Sequence, residues 1–187
     1  MRNEAPEREL SALLARYDAA GGVLDYVFLA PHDAGLPDKC HRAAALAGMA
    51  QIDRRLEQYA LRFRVRWDED KLTGKAVTLA DFWGSDDVEP KRLGERSWAI
   101  PNVDGYKTAF FHPPHGLEGS LSEKAELFAA INMHVLGLDP GRAEIFSWST
   151  DWSSYFEAGH EWWGAFYWTV RPAQSHGIVV VGASSTD

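Results

Sequence analysis

The chain has one cysteine, few basic residues in its second half and no long apolar run, and each shortage removes a class of protein. With Cys40 as the single cysteine among 187 residues, neither an internal disulfide framework nor a CxxC-type zinc site is open to it. No stretch approaches the roughly 18 consecutive apolar residues of a membrane-spanning helix. The opening Met1-Arg2-Asn3-Glu4-Ala5-Pro6-Glu7 is too polar for a secretory signal. The expectation is a soluble, cytoplasmic protein. HExxH, GxGxxG and P-loop patterns are also missing, which argues against a zincin and against a standard dinucleotide or nucleoside-triphosphate fold. Linkers, repeats and low-complexity tracts are absent, so residues 1–187 read as one domain.

The shortage of cations is regional. Residues 101–187 hold 4 Lys+Arg against 10 Asp+Glu, whereas residues 1–100 hold 15 against 17. Most of the net charge of −8 therefore lies in the C-terminal half. Phosphate backbones require clustered Lys and Arg, so nucleic acid is not the expected partner. A basic protein or a cationic ligand would be drawn in instead. One basic stripe opposes the trend. Leu61-Arg62-Phe63-Arg64-Val65-Arg66-Trp67 alternates strictly and reads as a half-buried strand with Arg62, Arg64 and Arg66 on its solvated face; the alternative is an anion site on that arginine face.

What the chain does have is apolar content of 45%, enough to bury a core. Leu10, Leu13, Leu14 and Tyr17 predict a helix over residues 7–19, stopped by Gly21-Gly22. Residues 23–29 predict a strand. Asp38 is placed to cap a second helix, whose stripe runs through Met49, Ile52, Leu56, Tyr59 and Phe63 and overlaps the arginine strand. Residues 75–82 predict a strand, and 96–100 with 106–111 predict a hairpin around Asp104-Gly105. Ser120 or Ser122 can cap a helix to Leu136, ended by Gly137 and Pro140. Strands at 143–148, 162–171 and 177–183 complete the chain. Ile178-Val179-Val180-Val181 is apolar on both sides, which predicts an interior strand. The order gives an α+β fold: a largely antiparallel sheet with about three helices on one face.

Tryptophan is abundant, and five of the eight lie between Trp148 and Trp168. Strand alternation places Trp162, Phe166, Trp168 and Val170 on a core face, and Trp163, Ala165, Tyr167 and Thr169 on the other. The second face reads as an aromatic shelf. The connection 149–161 is long for a hairpin, and such loops often carry function. Ser149 or Thr150 can cap a short helix there, with Trp152, Tyr155 and Phe156 facing inward and Gly159 ending it. Asp151, Glu157, His160 and Glu161 then stand at the mouth of the aromatic sheet. Rings beside carboxylates suit sugars, cationic groups or an Arg/Lys-rich surface. The same stripe is also the pattern of an aromatic core.

The motifs Trp148-Ser149-Thr150-Asp151-Trp152-Ser153, Glu161-Trp162-Trp163-Gly164 and Ala183-Ser184-Ser185-Thr186-Asp187 resemble the C-terminal region of uncharacterised bacterial proteins of similar length. The resemblance covers about the last quarter of the chain and implies no activity or residue role.

Other chemistry finds little footing. His112-Pro113-Pro114-His115 favours polyproline II, which displaces the two imidazoles by about 9 Å, so no metal or other cofactor is expected. Cys40 sits near a predicted helix N-terminus, where thiolate is favoured. Its neighbour His41 points about 100° away on a helix and is a poor base for it. Gly182-Ala183-Ser184-Ser185 lacks the second glycine of a nucleophile elbow. Acid–base chemistry by Asp151, Glu157, His160 and Glu161 is the most credible enzymatic option. The leading expectation is a recognition protein of the bacterial immunity or antitoxin kind. It would bind through an acidic C-terminal surface bearing Trp152, Tyr155, Trp163 and Tyr167. The alternative is a small-molecule-binding protein or carboxylate/His hydrolase with an aromatic pocket. A third possibility keeps the aromatics in the core and puts function at the His32 or His112–His115 loops.

Overall fold

Five antiparallel strands form the centre of the chain in a computed structural model, which describes residues 4–30, 37–59, 64–84, 105–161, 163–175 and 177–185. The strands are β1 (Leu24–Leu29), β2 (Gly74–Val77), β3 (Glu144–Trp148), β4 (Ala165–Arg171) and β5 (Ile178–Ser184), in spatial order β1-β5-β4-β3-β2. Strand β5 pairs with both β1 and β4, the interior position that its two-sided apolar run predicts.

A strand apolar on both sides must be covered on both sides. The helices accordingly flank the sheet on two faces, not on the single face expected from the order of elements. On the first face α1 (Glu4–Ala19), α3 (Leu79–Trp83), α4 (Tyr106–Phe111) and α5 (Leu121–Val135) build a core of Leu13, Tyr17, Phe82, Phe110, Ile131 and Trp168. On the second, α2 (Pro37–Tyr59) packs Ala45, Met49 and Ile52 against Val180 and Tyr167. Gly48 permits that approach, because a Cβ there would stand 2.7 Å from the Val180 methyls. The three long helices α1, α2 and α5 match the three read from sequence. The other α-helices, including α6 (Glu157–Glu161), are five or six residues long.

The strand read over 75–82 is a strand only to Val77 and then helical, and the one read over 106–111 is helical throughout, for identifiable reasons. Thr78 and Asp81 form a capping box, with Asp81 N–H donating to Thr78 Oγ1 at 3.1 Å and Thr78 N–H to Asp81 Oδ2 at 3.0 Å. That box ends β2 at Val77 and starts α3. Residues 106–111 form α4 because Tyr106, Ala109 and Phe110 are buried at helical spacing, and this outweighs the β preference of aromatic side chains. The proposed partner strand 96–100 lies outside the described residues, as do Arg62, Phe63, Trp162 and the His32 loop. Pro37 opens α2, which places Asp38 in its first turn and not at the cap. The box on Ser120 holds as expected, with Ser120 N–H donating to Glu123 Oε2 at 2.8 Å. Among the described residues no helix is long and apolar enough to cross a membrane.

Candidate functional site

The site is built where two distant segments meet beside α2. Trp67 and Ser153 form an isolated antiparallel bridge. Asp68 N–H donates to Trp152 O at 2.8 Å, and Ser154 N–H to Arg66 O at 2.8 Å. Arg66 N–H in turn donates to Ser154 Oγ at 2.9 Å. The described part of the arginine stripe, residues 64–67, thus contributes this short pairing and not a sheet strand. Ser153, not Ser149 or Thr150, caps the turn at Ser154–Phe156, its Oγ accepting from Tyr155 N–H at 3.2 Å. Ser149 is used otherwise, its N–H donating to Thr73 O at 2.7 Å. The segment 65–72 is tied back to α2. Val65 N–H donates to Asp53 Oδ1 at 2.9 Å, and the Arg42 guanidinium donates to Leu72 O and Glu69 O at 2.6 and 2.7 Å.

Between the segments opens a cleft of about 470 Å³, broadly open to solvent. Asp151, Glu157 and His160 line it together, so three of the four polar residues singled out from sequence converge. Glu161 is exposed but lies outside the lining. His160 Nε2 is hydrogen-bonded to Thr150 Oγ1 at 2.7 Å. Arg66, Trp67 and Asp68 make the opposite wall. The arginine stripe is visible in the sequence but its place opposite this loop is not, because a single long-range bridge brings it there and no local periodicity encodes such a bridge. Asp68 is already engaged, accepting from Asp70 N–H at 3.2 Å and pairing with Lys71 at 3.7 Å.

The aromatic residues assigned to binding occupy different positions from the expected shelf. Trp152, Tyr155, Trp163 and Tyr167 are 2%, 8%, 4% and 1% exposed. The Trp152 ring packs at a tilt 5.8 Å from Tyr167 and 6.3 Å from Phe156. Its indole N–H is buried and has no hydrogen-bond acceptor among the described residues. Tyr155 Oη donates to Asp25 Oδ2 at 2.7 Å, and Tyr167 Oη donates to Ala45 O at 2.5 Å. Burial pushes both phenols above their ordinary range. Trp163 belongs to the opposite face of the sheet. Strand β4 begins only at Ala165, and Gly164, at φ 144°, breaks the alternation that would have aligned Trp163 with Tyr167. Trp163 instead packs with Phe166 at 6.0 Å and donates its indole N–H to His112 O at 2.8 Å. The rings are therefore the frame of the site and not its floor, with the exception of Trp152, which reaches the lining.

A second polar cluster is closed. His41 is 0% exposed, its Nδ1 is 2.8 Å from Thr169 Oγ1, and Trp148 Nε1–H donates to the same hydroxyl at 2.9 Å. The His41 ring stacks on Phe146 at 4.5 Å. Its Nε2 lies 3.8 Å from Glu144 Oε2, a carboxylate also paired with Arg171. Burial, with the Arg171 charge adding to it, lowers the imidazole from 6.5 to about 4. His41 thus turns to the sheet and not to Cys40, which packs in the apolar cluster of α2. Among the described residues no group of three His, Cys, Asp or Glu is placed to hold a metal ion. Comparison with family models, curated proteins and solved structures finds no match to this chain.

Proposed function

We propose that this chain binds a small polar molecule in the cleft between residues 66–68 and 150–160. The observation that carries this reading is the convergence of Arg66, Asp151 and Glu157. All three are exposed and line one concavity, and their side chains have no hydrogen-bond or ion-pair partner among the described residues. Charged groups that leave each other unpaired in a concave site are available to a ligand. The volume falls in the range of ~300–1,000 Å³ common to small-molecule sites. The recognition reading, in which a basic partner docks on this half of the chain, is weakened by the burial of its aromatic anchors. Interface hot spots need Trp and Tyr within the partner's reach, and what remains for it is an acidic rim of Asp151, Glu157 and Glu161.

The test is thermal denaturation against a panel of small polar compounds at millimolar concentration. A ligand should raise the midpoint in a concentration-dependent way, and the rise should vanish in the Asp151→Asn/Glu157→Gln double variant. Turnover of the stabilising compound, lost with Glu157→Gln, would mark the site as hydrolytic. If no compound acts and a basic protein is captured stoichiometrically by wild type but not by the double variant, the partner reading replaces this one.

A further inference from the structure

Resting on that cleft reading, the hydrogen-bond inventory narrows the ligand class. The neutral hydroxyls of the lining are largely engaged: Ser153 Oγ donates to Met49 Sδ at 3.7 Å, Thr150 is bonded to His160, and Ser154 Oγ accepts from Arg66 N–H and keeps only its own O–H to offer. Among the described residues no Asn or Gln lines the cleft. Asp68 is occupied by Lys71. The strong capacity left open is two acceptor-only carboxylates, Asp151 and Glu157, and one donor-only guanidinium, Arg66. The complementary molecule carries donor-only cationic nitrogens and one acceptor-only anionic group.

We infer that the cleft takes a small basic zwitterion of the diamino-carboxylate class. Its carboxylate pairs with Arg66 and its two ammonium groups pair with Asp151 and Glu157. Each of these contacts is charge-assisted, and such bonds are roughly twice as strong as neutral ones. The planar fork of Arg66 suits a carboxylate. Trp67, half-buried on the same wall, offers apolar and cation–π contact to the spacer between the charges. A saccharide can hydrogen-bond to the same groups but fits less well, because its neutral hydroxyls leave the three formal charges without a counter-charge. The ligand's net charge of about +1 offsets the net negative charge of the three open groups.

The experiment titrates lysine, 1,5-diaminopentane, glutamate and glucose into the isotopically labelled full chain, following the Trp67 indole N–H signal. That signal is assigned with Trp67→Phe. Lysine should move it and bind most tightly. Asp151→Asn or Glu157→Gln should each weaken lysine and 1,5-diaminopentane about tenfold, the worth of one hydrogen bond to a charged group. Arg66→Ala should weaken lysine by a similar factor and leave 1,5-diaminopentane unchanged, since that diamine has no carboxylate. The backbone of residue 66 keeps its pairing with Ser154 in this variant. If glutamate or glucose moves the signal and lysine does not, the cleft binds ligands but the assigned class is wrong. If none of the four moves it, both the class and the cleft reading fall.

Discussion

Replacing His41 by Phe should remove one proton from the acid unfolding of this protein. The imidazole is fully buried, and its folded value of about 4 lies below the 6.5 of an exposed histidine. A group depressed by folding contributes stability that is complete above about 6.5 and is lost as the pH falls through about 4. In that window the unfolded chain binds the proton and the folded chain does not, so stability rises with pH. Each pH unit of that gap is worth about 1.4 kcal/mol, so the full loss is about 3 kcal/mol. Phe keeps the stacking on Phe146 and removes the titratable nitrogens, while Thr169 Oγ1 retains the Trp148 donor. Asp25 works against this slope, because burial raises its carboxyl and its early protonation favours the folded state. The assay is urea denaturation from pH 7.5 to 4 on wild type and His41→Phe, with the difference between the two curves isolating His41. A difference that stays flat across this range would refute the account. It would mean that His41 takes up its proton in the folded state through Glu144, at 3.8 Å, as easily as it does unfolded.

Three further substitutions probe the frame around the cleft. Tyr155→Phe removes the donor to Asp25 and should cost about 1–3 kcal/mol at pH 7 in urea denaturation. The cost should shrink at acid pH, where a protonated Asp25 no longer needs a donor. Thr169→Val deprives Trp148 of its acceptor and His41 of its hydroxyl, for a loss of roughly 2–3 kcal/mol, read in the same assay. Gly48→Ala places a methyl 2.7 Å from Val180 and should destabilise by about 1–3 kcal/mol through overpacking. A melting point unchanged from wild type would show that α2 can move off the sheet at no cost.

The long, periodic elements are the ones that sequence made visible. The stripes Leu10–Tyr17 and Met49–Leu56 encode α1 and α2, and the Ser120/Glu123 box encodes the start of α5, because each pattern is contained in a few turns of chain. Strand β5 was readable for the same reason, and its two-sided apolarity already demanded cover on both faces of the sheet. The errors fall where a local signal competed with tertiary packing. At residues 106–111 aromatic β preference lost to the burial of Tyr106, Ala109 and Phe110 on one helical side. At Thr78 a four-residue capping box, readable but overlooked, turned an apparent strand into α3.

At the site, the segment was legible and the roles within it were not. Strand alternation treats Trp163 and Tyr167 as companions, yet the left-handed Gly164 between them sends Trp163 through to the other core. Composition treats Trp152 and Tyr155 as recognition residues, yet they are nearly fully buried. Large rings inside and small charges outside follow from the same physics. The loop 149–161 crosses the second face of the sheet, where Trp152, Tyr155 and Phe156 bury the area that holds it down. Its charged neighbours cannot follow them inward without a partner, so Asp151, Glu157 and His160 stand outward on a buried aromatic frame. A cleft needs a second wall. That wall comes from Arg66 and Trp67, more than eighty residues away in the chain, joined through the backbone pairing of Arg66 and Asp68 with Trp152 and Ser154. The aromatic block therefore acts on any ligand indirectly, by fixing the position of charges it does not itself carry.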